Sequence, residues 1–253
     1  MIDPVRFERI ARIDSTSSEL MRRPFAAVPQ PPCALLADVQ EAGRGRNGRV
    51  WLADPAHSLT LSVSVEREVD GTTLLGLPLA VGVAIVDVLG AHGAAARLKW
   101  PNDLQVDGAD GPAKAGGILV EVRQQGPLQR VVVGFGLNLS PAAGLDAARL
   151  GQSAGSLFPA DRVPARLPLA RELAAAVAAA VGAFARDGLR PWLARWRALD
   201  ALADLPVDLV RGGGSREPGI ARGIENDGAL RVERLDGTLA RIASGEVSVR
   251  RRG

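Results

Sequence analysis

The sequence predicts an α+β fold: a mixed sheet with helices over residues 1–203 and a small antiparallel β-barrel over residues 204–253. Three observations predict it. Short segments with strand character run from Arg6 to Leu139 around a single long apolar helix. An alanine-rich helical stretch follows them. From Val207 onward the chain breaks into short strands punctuated by Gly212-Gly213-Gly214, Asn226-Asp227-Gly228 and Asp236-Gly237, which is the spacing of a small barrel.

Taken in order, residues 6–13 mix apolar and charged side chains and read as a strand. Thr16-Ser17-Ser18-Glu19 is a capping box that opens a short helix through Leu20-Met21-Arg22-Arg23. Pro24 and the prolines at 29–32 form a connection to a compact apolar strand at 33–40. Residues 59–66 alternate Leu-Thr-Leu-Ser-Val-Ser-Val with period two, the pattern of a half-buried strand. Residues 73–89 form a long apolar helix expected at the centre of the core. Short strands at 97–100 and 104–106 flank Pro101-Asn102-Asp103, and strands at 117–123 and 130–139 pair through a turn at Gly126-Pro127. After a loop of small residues, the alanine-rich helix covers 164–186 and stops at Gly188, and a shorter helix covers 192–199.

Composition narrows the function. At 253 residues, 47% hydrophobic and 23% charged, the chain has the make-up of a globular protein that buries a real core. No basic-then-apolar leader follows Met1, and the most apolar stretch, 74–89, contains Pro78 and Asp87; neither a signal peptide nor a membrane span is expected. Cys33 is the one cysteine, so an internal disulfide or a multi-thiolate metal site is excluded and a cytoplasmic setting is expected. Neither His57 nor His92 neighbours a candidate nucleophile, which argues against a Ser-His or Cys-His hydrolase. The pI near 9.9 suggests nucleic acid, yet the net charge is only +3 and the high pI reflects cations that are almost all arginine. The two lysines, Lys99 and Lys114, are either survivors of compositional drift or sites where a compact ammonium must approach one oxygen.

Gly43-Arg44-Gly45-Arg46-Asn47-Gly48-Arg49-Val50-Trp51 fits two phosphate-binding patterns, and both fail on context. Gly43, Gly45 and Gly48 match the dinucleotide fingerprint, but no helix starts there. The P-loop spacing is present, but Arg49-Val50 stands where Lys-Ser/Thr is needed. What remains is a loop with three guanidinium groups, suited to folding over a phosphorylated or adenylated ligand. A solvated basic turn and a nucleic-acid contact are the alternatives. In Lys99-Trp100-Pro101-Asn102-Asp103, Asp103 would hold Mg²⁺ on a triphosphate or serve as a turn residue. Lys114 precedes Gly116-Gly117, where bare backbone would accept a flat ligand, or else is a hairpin lysine. Gly134 and Gly136 alternate on one face of a strand, leaving room for a ligand that Asn138 would bond.

Asp14-Ser15-Thr16-Ser17, Gln40, the loop from Gly43 to Trp51, Lys99-Trp100-Pro101-Asn102-Asp103, Lys114-Ala115-Gly116-Gly117-Ile118-Leu119 and Gly134-Phe135-Gly136-Leu137-Asn138 together resemble the biotin–protein ligase family. The tail, with Gly223, Gly228, Gly237 and the run from Ser244 through Glu246 to Arg250, is similar to that family's SH3-like C-terminal barrel. The resemblance covers essentially the whole chain, with a class II synthetase-like catalytic domain. It departs at Ser17, where Asn is more usual, and at Ala56-His57-Ser58-Leu59.

The resemblance implies biotin and MgATP as substrates, a biotin carboxyl carrier protein as partner, and a monomer or homodimer. It also implies no membrane and no DNA partner, since the larger members' DNA-binding domain is not expected here. Ser15, Thr16, Ser17 and Gln40 would contact the biotin head group. Gly43, Arg44, Gly45 and Arg46 would order over biotinyl-adenylate, with Trp51 as a wall. Lys114, two residues before Gly116, would lie at the carboxylate and α-phosphate, and Asp103 and Asn138 would serve ATP and Mg²⁺. A lipoate or octanoate ligase of the same fold is the nearest alternative, and a nucleic-acid-binding protein the alternative from another class.

Overall fold

The computed structural model describes residues 4–68, 74–108, 111–142, 153–211, 214–245 and 247–252. Thr73, Gly212, Gly213, Glu246 and Gly253, and positions 143–152 of the small-residue loop, lie outside the described residues.

Seven strands make the main sheet: β1 (Arg6–Ile13), β2 (Cys33–Gln40), β3 (Ser58–Glu68), β4 (Arg97–Lys99), β5 (Asp103–Gly108), β6 (Gly111–Gln125) and β7 (Leu128–Asn138). Their order is β1-β2-β3-β7-β6-β5-β4, with β1 and β2 parallel and every other neighbour antiparallel. The mixed sheet is thus the expected one, and the Gly126-Pro127 turn closes the β6–β7 hairpin.

Three helices cover one face: α2 (Leu77–Ala91), α3 (Arg166–Asp187) and α4 (Leu193–Leu199). Most of α2 is buried, as its largely apolar sequence requires, with Asp87 on the exposed side. It starts at Leu77 rather than in the low seventies, because Gly76 takes a left-handed φ of 84° as N-cap and Pro78 suits the first turn. Among the described residues α3 alone is long and apolar enough to cross a membrane, but half of its apolar window is buried in the protein, against α2 and β3. It ends at Gly188, whose amide donates to the Phe184 carbonyl at 2.9 Å.

The other face carries α1 (Thr16–Arg22) and its own small core of Leu20, Cys33, Leu35 and Val132. The second covering overturns the half-buried reading of β3. Leu59, Leu61 and Val63 join the main core, yet Ser58, Thr60, Ser62 and Ser64 on the opposite face are buried too. Its small hydroxyls let α1 approach.

The tail forms a five-stranded antiparallel sheet of the SH3-like kind, ordered β11-β10-β9-β8-β12. Its strands are β8 (Pro206–Val210), β9 (Arg216–Ile224), β10 (Leu230–Arg234), β11 (Leu239–Ile242) and β12 (Ser248–Arg251). Trp100, 1% exposed, donates from its indole Nε1 to the Gly228 carbonyl at 2.9 Å, which ties the Lys-Trp-Pro-Asn-Asp segment to this sheet.

At the same junction Ala201 N donates to Leu98 O at 2.8 Å, beside the buried Asp200. Burial pushes the Asp200 carboxyl up to about 6 from its ordinary 3.8, against the opposing pull of the Leu202 amide and Arg97. The folded chain therefore keeps a proton that the unfolded chain has lost between those values, so stability falls as pH rises from about 4 to about 6 and is level above. Asp200→Asn is expected to flatten that decline and to stabilise the protein at pH 7.5 by on the order of 1–3 kcal/mol. Urea unfolding at pH 4.5 and 7.5 checks it; an equal decline in both proteins refutes it.

A candidate active site between α1 and the glycine–arginine loop

One cavity of about 970 Å³ opens over the α1 side of the sheet. That is at the upper end for small-molecule sites and has room for two ligands. Ser15, Thr16, Ser17, Gln40, Arg44, Gly45, Arg46, Trp51, Asp103, Lys114 and Asn138 all line it, so the sequence-predicted residues converge. Gly43 and Gly116 do not.

Hydroxyls build one end. The helix N-cap is Ser15, not Thr16: its side chain accepts from the Ser18 amide at 3.4 Å. Thr16 is the first helical residue, and Glu19, rather than closing a capping box, pairs with Arg22 and Arg23. This frees the Thr16 hydroxyl for the site. Gln40 Oε1 accepts from Thr16 N at 2.7 Å and from Thr16 Oγ1 at 2.9 Å. Ser62 Oγ lies 2.7 Å from Thr16 Oγ1 and 2.9 Å from Ser17 Oγ. Ser62, 0% exposed, was missed because alternation in sequence reads a strand's hydroxyl face as solvent-facing.

The glycines act differently from the expectation. A Cβ on Gly134 would lie 2.2 Å from Ser17 Oγ, and one on Gly136 would lie 2.2 Å from the Trp51 ring. These positions seat α1 and the indole against bare backbone rather than holding open space for a ligand. Gly116 faces the core, where a Cβ would meet Leu137 at 2.8 Å, whereas Gly117 faces the cavity beside Lys114 and Trp51. Pleating decides which of the pair sees the ligand. Gly43 allows close approach of its own loop, since a Cβ there would sit 2.6 Å from Trp51 O. Gly134→Ala is expected to push α1 outward and weaken binding at the hydroxyl end by about tenfold or more, with the fold retained. Calorimetry and circular dichroism test this; undiminished affinity would refute it.

Cations build the other end. Lys114 Nζ pairs with Asp103 Oδ1 at 2.7 Å and lies 5.7 Å from the centroid of the Trp51 ring. Lys99, one of the two lysines singled out in the sequence, also lines the cavity. Burial lowers its pKa; Asp103 opposes this, while Lys114, Arg250 and Arg49 reinforce it. A partly desolvated ammonium among other cations is a ready seat for an anion.

The loop is a tight hairpin. Arg44 bridges to Val50, Gly45 N donates to Arg49 O at 2.7 Å, and Asn47 takes a left-handed φ of 54°. Its arginines reach outward: Arg46 Nη1 donates to Asn102 Oδ1 at 2.9 Å, Arg44 pairs with Glu121 at 2.8 Å, and Arg49 approaches Ser248 Oγ at 3.5 Å. Burial lowers the Arg46 pKa, partly offset by Asp103.

Asn138 donates from Nδ2 to Gly155 O at 3.1 Å, while its buried Oδ1 has no hydrogen-bond partner among the described residues. Asp103 is the sole carboxylate among the cavity's described lining residues, and no cluster of three or more His, Cys, Asp or Glu side chains occurs among the described residues. One carboxylate and one amide oxygen suit a magnesium ion that arrives on substrate phosphates, not a resident metal in a protein cage.

The model of the biotin/lipoate A/B protein ligase family matches residues 10–138, and that of the biotin protein ligase C terminal domain matches residues 206–250. The bifunctional ligase/repressor BirA of Escherichia coli (strain K12) is 35% identical over 241 residues, covering 94% of this chain and 72% of BirA. The biotin--[acetyl-CoA-carboxylase] ligase of Paracoccus denitrificans is 33% identical over 240 residues, with 87% and 91% covered. A solved biotin protein ligase from Aquifex aeolicus, in complex with biotin and ATP, superposes with a TM-score of 0.78 at 23% identity, covering 98% of this chain and 99% of that one. That last likeness concerns the fold.

Proposed function

The chain belongs to the biotin/lipoate A/B protein ligase family, and from that premise we propose that it is an ATP-dependent biotin–protein ligase. Residues 1–203 would form the catalytic domain and residues 204–253 the C-terminal one. The observation that carries the reading is a single cavity with a hydroxyl-lined, uncharged end and a cationic end. Biotin has that polarity: a neutral, hydrogen-bonding ureido ring at one end and a carboxylate at the other.

The reaction runs in two steps. Biotin's carboxylate oxygen attacks the α-phosphorus of MgATP, and pyrophosphate leaves. A lysine amine of a biotin carboxyl carrier protein then attacks the acyl carbon of biotinyl-5′-AMP, forming an amide and releasing AMP. Ser15, Thr16, Ser17, Ser62 and Gln40 orient the head group. Lys114 and Lys99 stabilise charge on the carboxylate and phosphates, Asp103 and Asn138 Oδ1 offer oxygens to the magnesium that ATP brings, and the Arg46 loop keeps water out. No step needs a protein nucleophile.

Lipoate and octanoate are disfavoured because their apolar ends carry no hydrogen-bonding group to match the polar end built by Thr16, Ser17, Ser62 and Gln40. A nucleic-acid role is disfavoured because Arg44, Arg46 and Arg49 are engaged with Glu121, Asn102 and Ser248 at the rim of the cavity. Calorimetric titration with biotin, with and without an ATP analogue, tests the proposal. Saturable biotin binding and biotin-dependent pyrophosphate exchange, not competed by lipoate, are expected; exchange driven by lipoate instead refutes it.

A further inference from the structure

The helix that carries Ser15, Thr16 and Ser17 to the cavity is only seven residues long, too short to hold its shape unaided in water. Its last carbonyls lack intrahelical partners and need donors. Two arginines from the sheet supply them. Arg130 on β7 donates from Nη1 to Leu20 O at 3.0 Å and Arg23 O at 2.6 Å, and from Nη2 to Pro24 O at 2.9 Å. Arg123 on β6 donates from Nη1 to Met21 O at 2.8 Å and Arg23 O at 3.1 Å. Phe25 lies 4.4 Å from the Arg130 guanidinium and 5.3 Å from that of Arg123. Arg130 is 4% exposed, and Glu66 on β3 balances its charge, accepting from Nε at 2.9 Å and also from Nη2. A cation at this end of a helix also meets the negative end of the helix dipole.

Neither arginine lines the cavity. Strand register connects them to it. On the β3–β7 pair, Ser62 faces Gly134 and Glu66 faces Arg130, and the even spacing puts both rungs on the α1 face. Four strand residues span about 13 Å, and two helical turns span roughly 11 Å. Helix α1 therefore lies across both rungs: Ser17 rests on Ser62 and Gly134, and the carbonyls of Leu20, Arg23 and Pro24 rest on Arg130.

We infer that Arg130, balanced by Glu66 and assisted by Arg123, is a positioning residue for recognition of the biotin head group: it pins the far end of α1 and so sets the height of Ser15, Thr16 and Ser17 above the sheet. The inference rests on the biotin-ligase reading of the cavity.

The full chain is titrated calorimetrically with biotin and, separately, with a non-hydrolysable ATP analogue, as wild type, Arg130→Met, Arg130→Lys and Arg123→Met. Arg130→Met is expected to weaken biotin by about tenfold or more while the ATP analogue stays within about twofold, because the orphaned carbonyls belong to the end of α1 and the two residues after it. Arg123→Met should cost biotin about two- to fivefold, and Arg130→Lys should fall between wild type and Arg130→Met. Equal losses for both ligands, or undiminished biotin affinity in a folded Arg130→Met, overturn the inference. If Arg130→Met does not fold, Arg123→Met decides by the same ratio. A wild-type chain that binds no biotin overturns the functional reading instead, before any variant is compared.

Discussion

Lys114→Ala is expected to slow the formation of biotinyl-adenylate by about 10²–10³-fold, equivalent to roughly 3–4 kcal/mol of lost transition-state stabilisation. Two effects add. The ammonium that meets the attacking carboxylate and the charge building on the α-phosphate is removed. Asp103, paired with Lys114 at 2.7 Å, is then left as an unbalanced anion beside incoming phosphates. The Asp103→Asn/Lys114→Ala double variant is accordingly expected to lose less than the two single losses combined, a non-additivity that follows from the shared pair. Lys114→Arg should rescue little, since a planar guanidinium does not replace a compact ammonium against Gly117 and Trp51. Single-turnover quench measurements at saturating biotin and ATP give the rate. A wild-type rate in Lys114→Ala would remove it from the chemistry and leave Lys99 as the operative cation.

Arg46→Ala is expected to act at a later stage. Its guanidinium closes the loop onto Asn102 at 2.9 Å, and Asn102 is itself fixed by the bond from its Nδ2 to Ile118 O at 2.8 Å. Without that closure the mixed anhydride meets water and escapes. The expected result is a rise of about tenfold or more in adenylate released per biotin transferred, with adenylation slowed less than in Lys114→Ala. Rapid filtration of a pre-loaded complex, followed by counting of free adenylate, measures the ratio. Unchanged retention would show that the remaining loop contacts, Arg44–Glu121 and Arg49–Ser248, suffice to close the site.

The family-bearing segments were legible because each is a short, continuous run whose residue types suit its chemistry. The Gly43–Trp51 loop, the lysine before paired glycines and the alternating glycines of β7 all reach one cavity. Errors fell where a local rule met a distant neighbour. Thr16 has the side chain of an N-cap, but Gln40 and Ser62 claim its hydroxyl, so Ser15 caps instead. The serines of β3 carry a solvent-facing pattern, but α1 covers them. Gly134 and Gly136 promise space that Ser17 and Trp51 already fill.

The sequence by itself determined the order and type of the elements, the two-part layout and the inventory of cations, since strand alternation, turn glycines and helical apolar faces act over a few residues. Only the tertiary structure decided which face of each strand meets the ligand, that Gly117 rather than Gly116 lines the cavity, and how Arg123 and Arg130 hold α1. The physical reason is separation along the chain. Ser62 and Gly134, or Glu66 and Arg130, become neighbours through a β3–β7 register that no local window contains, and buried hydroxyls and charges take their partners from that register.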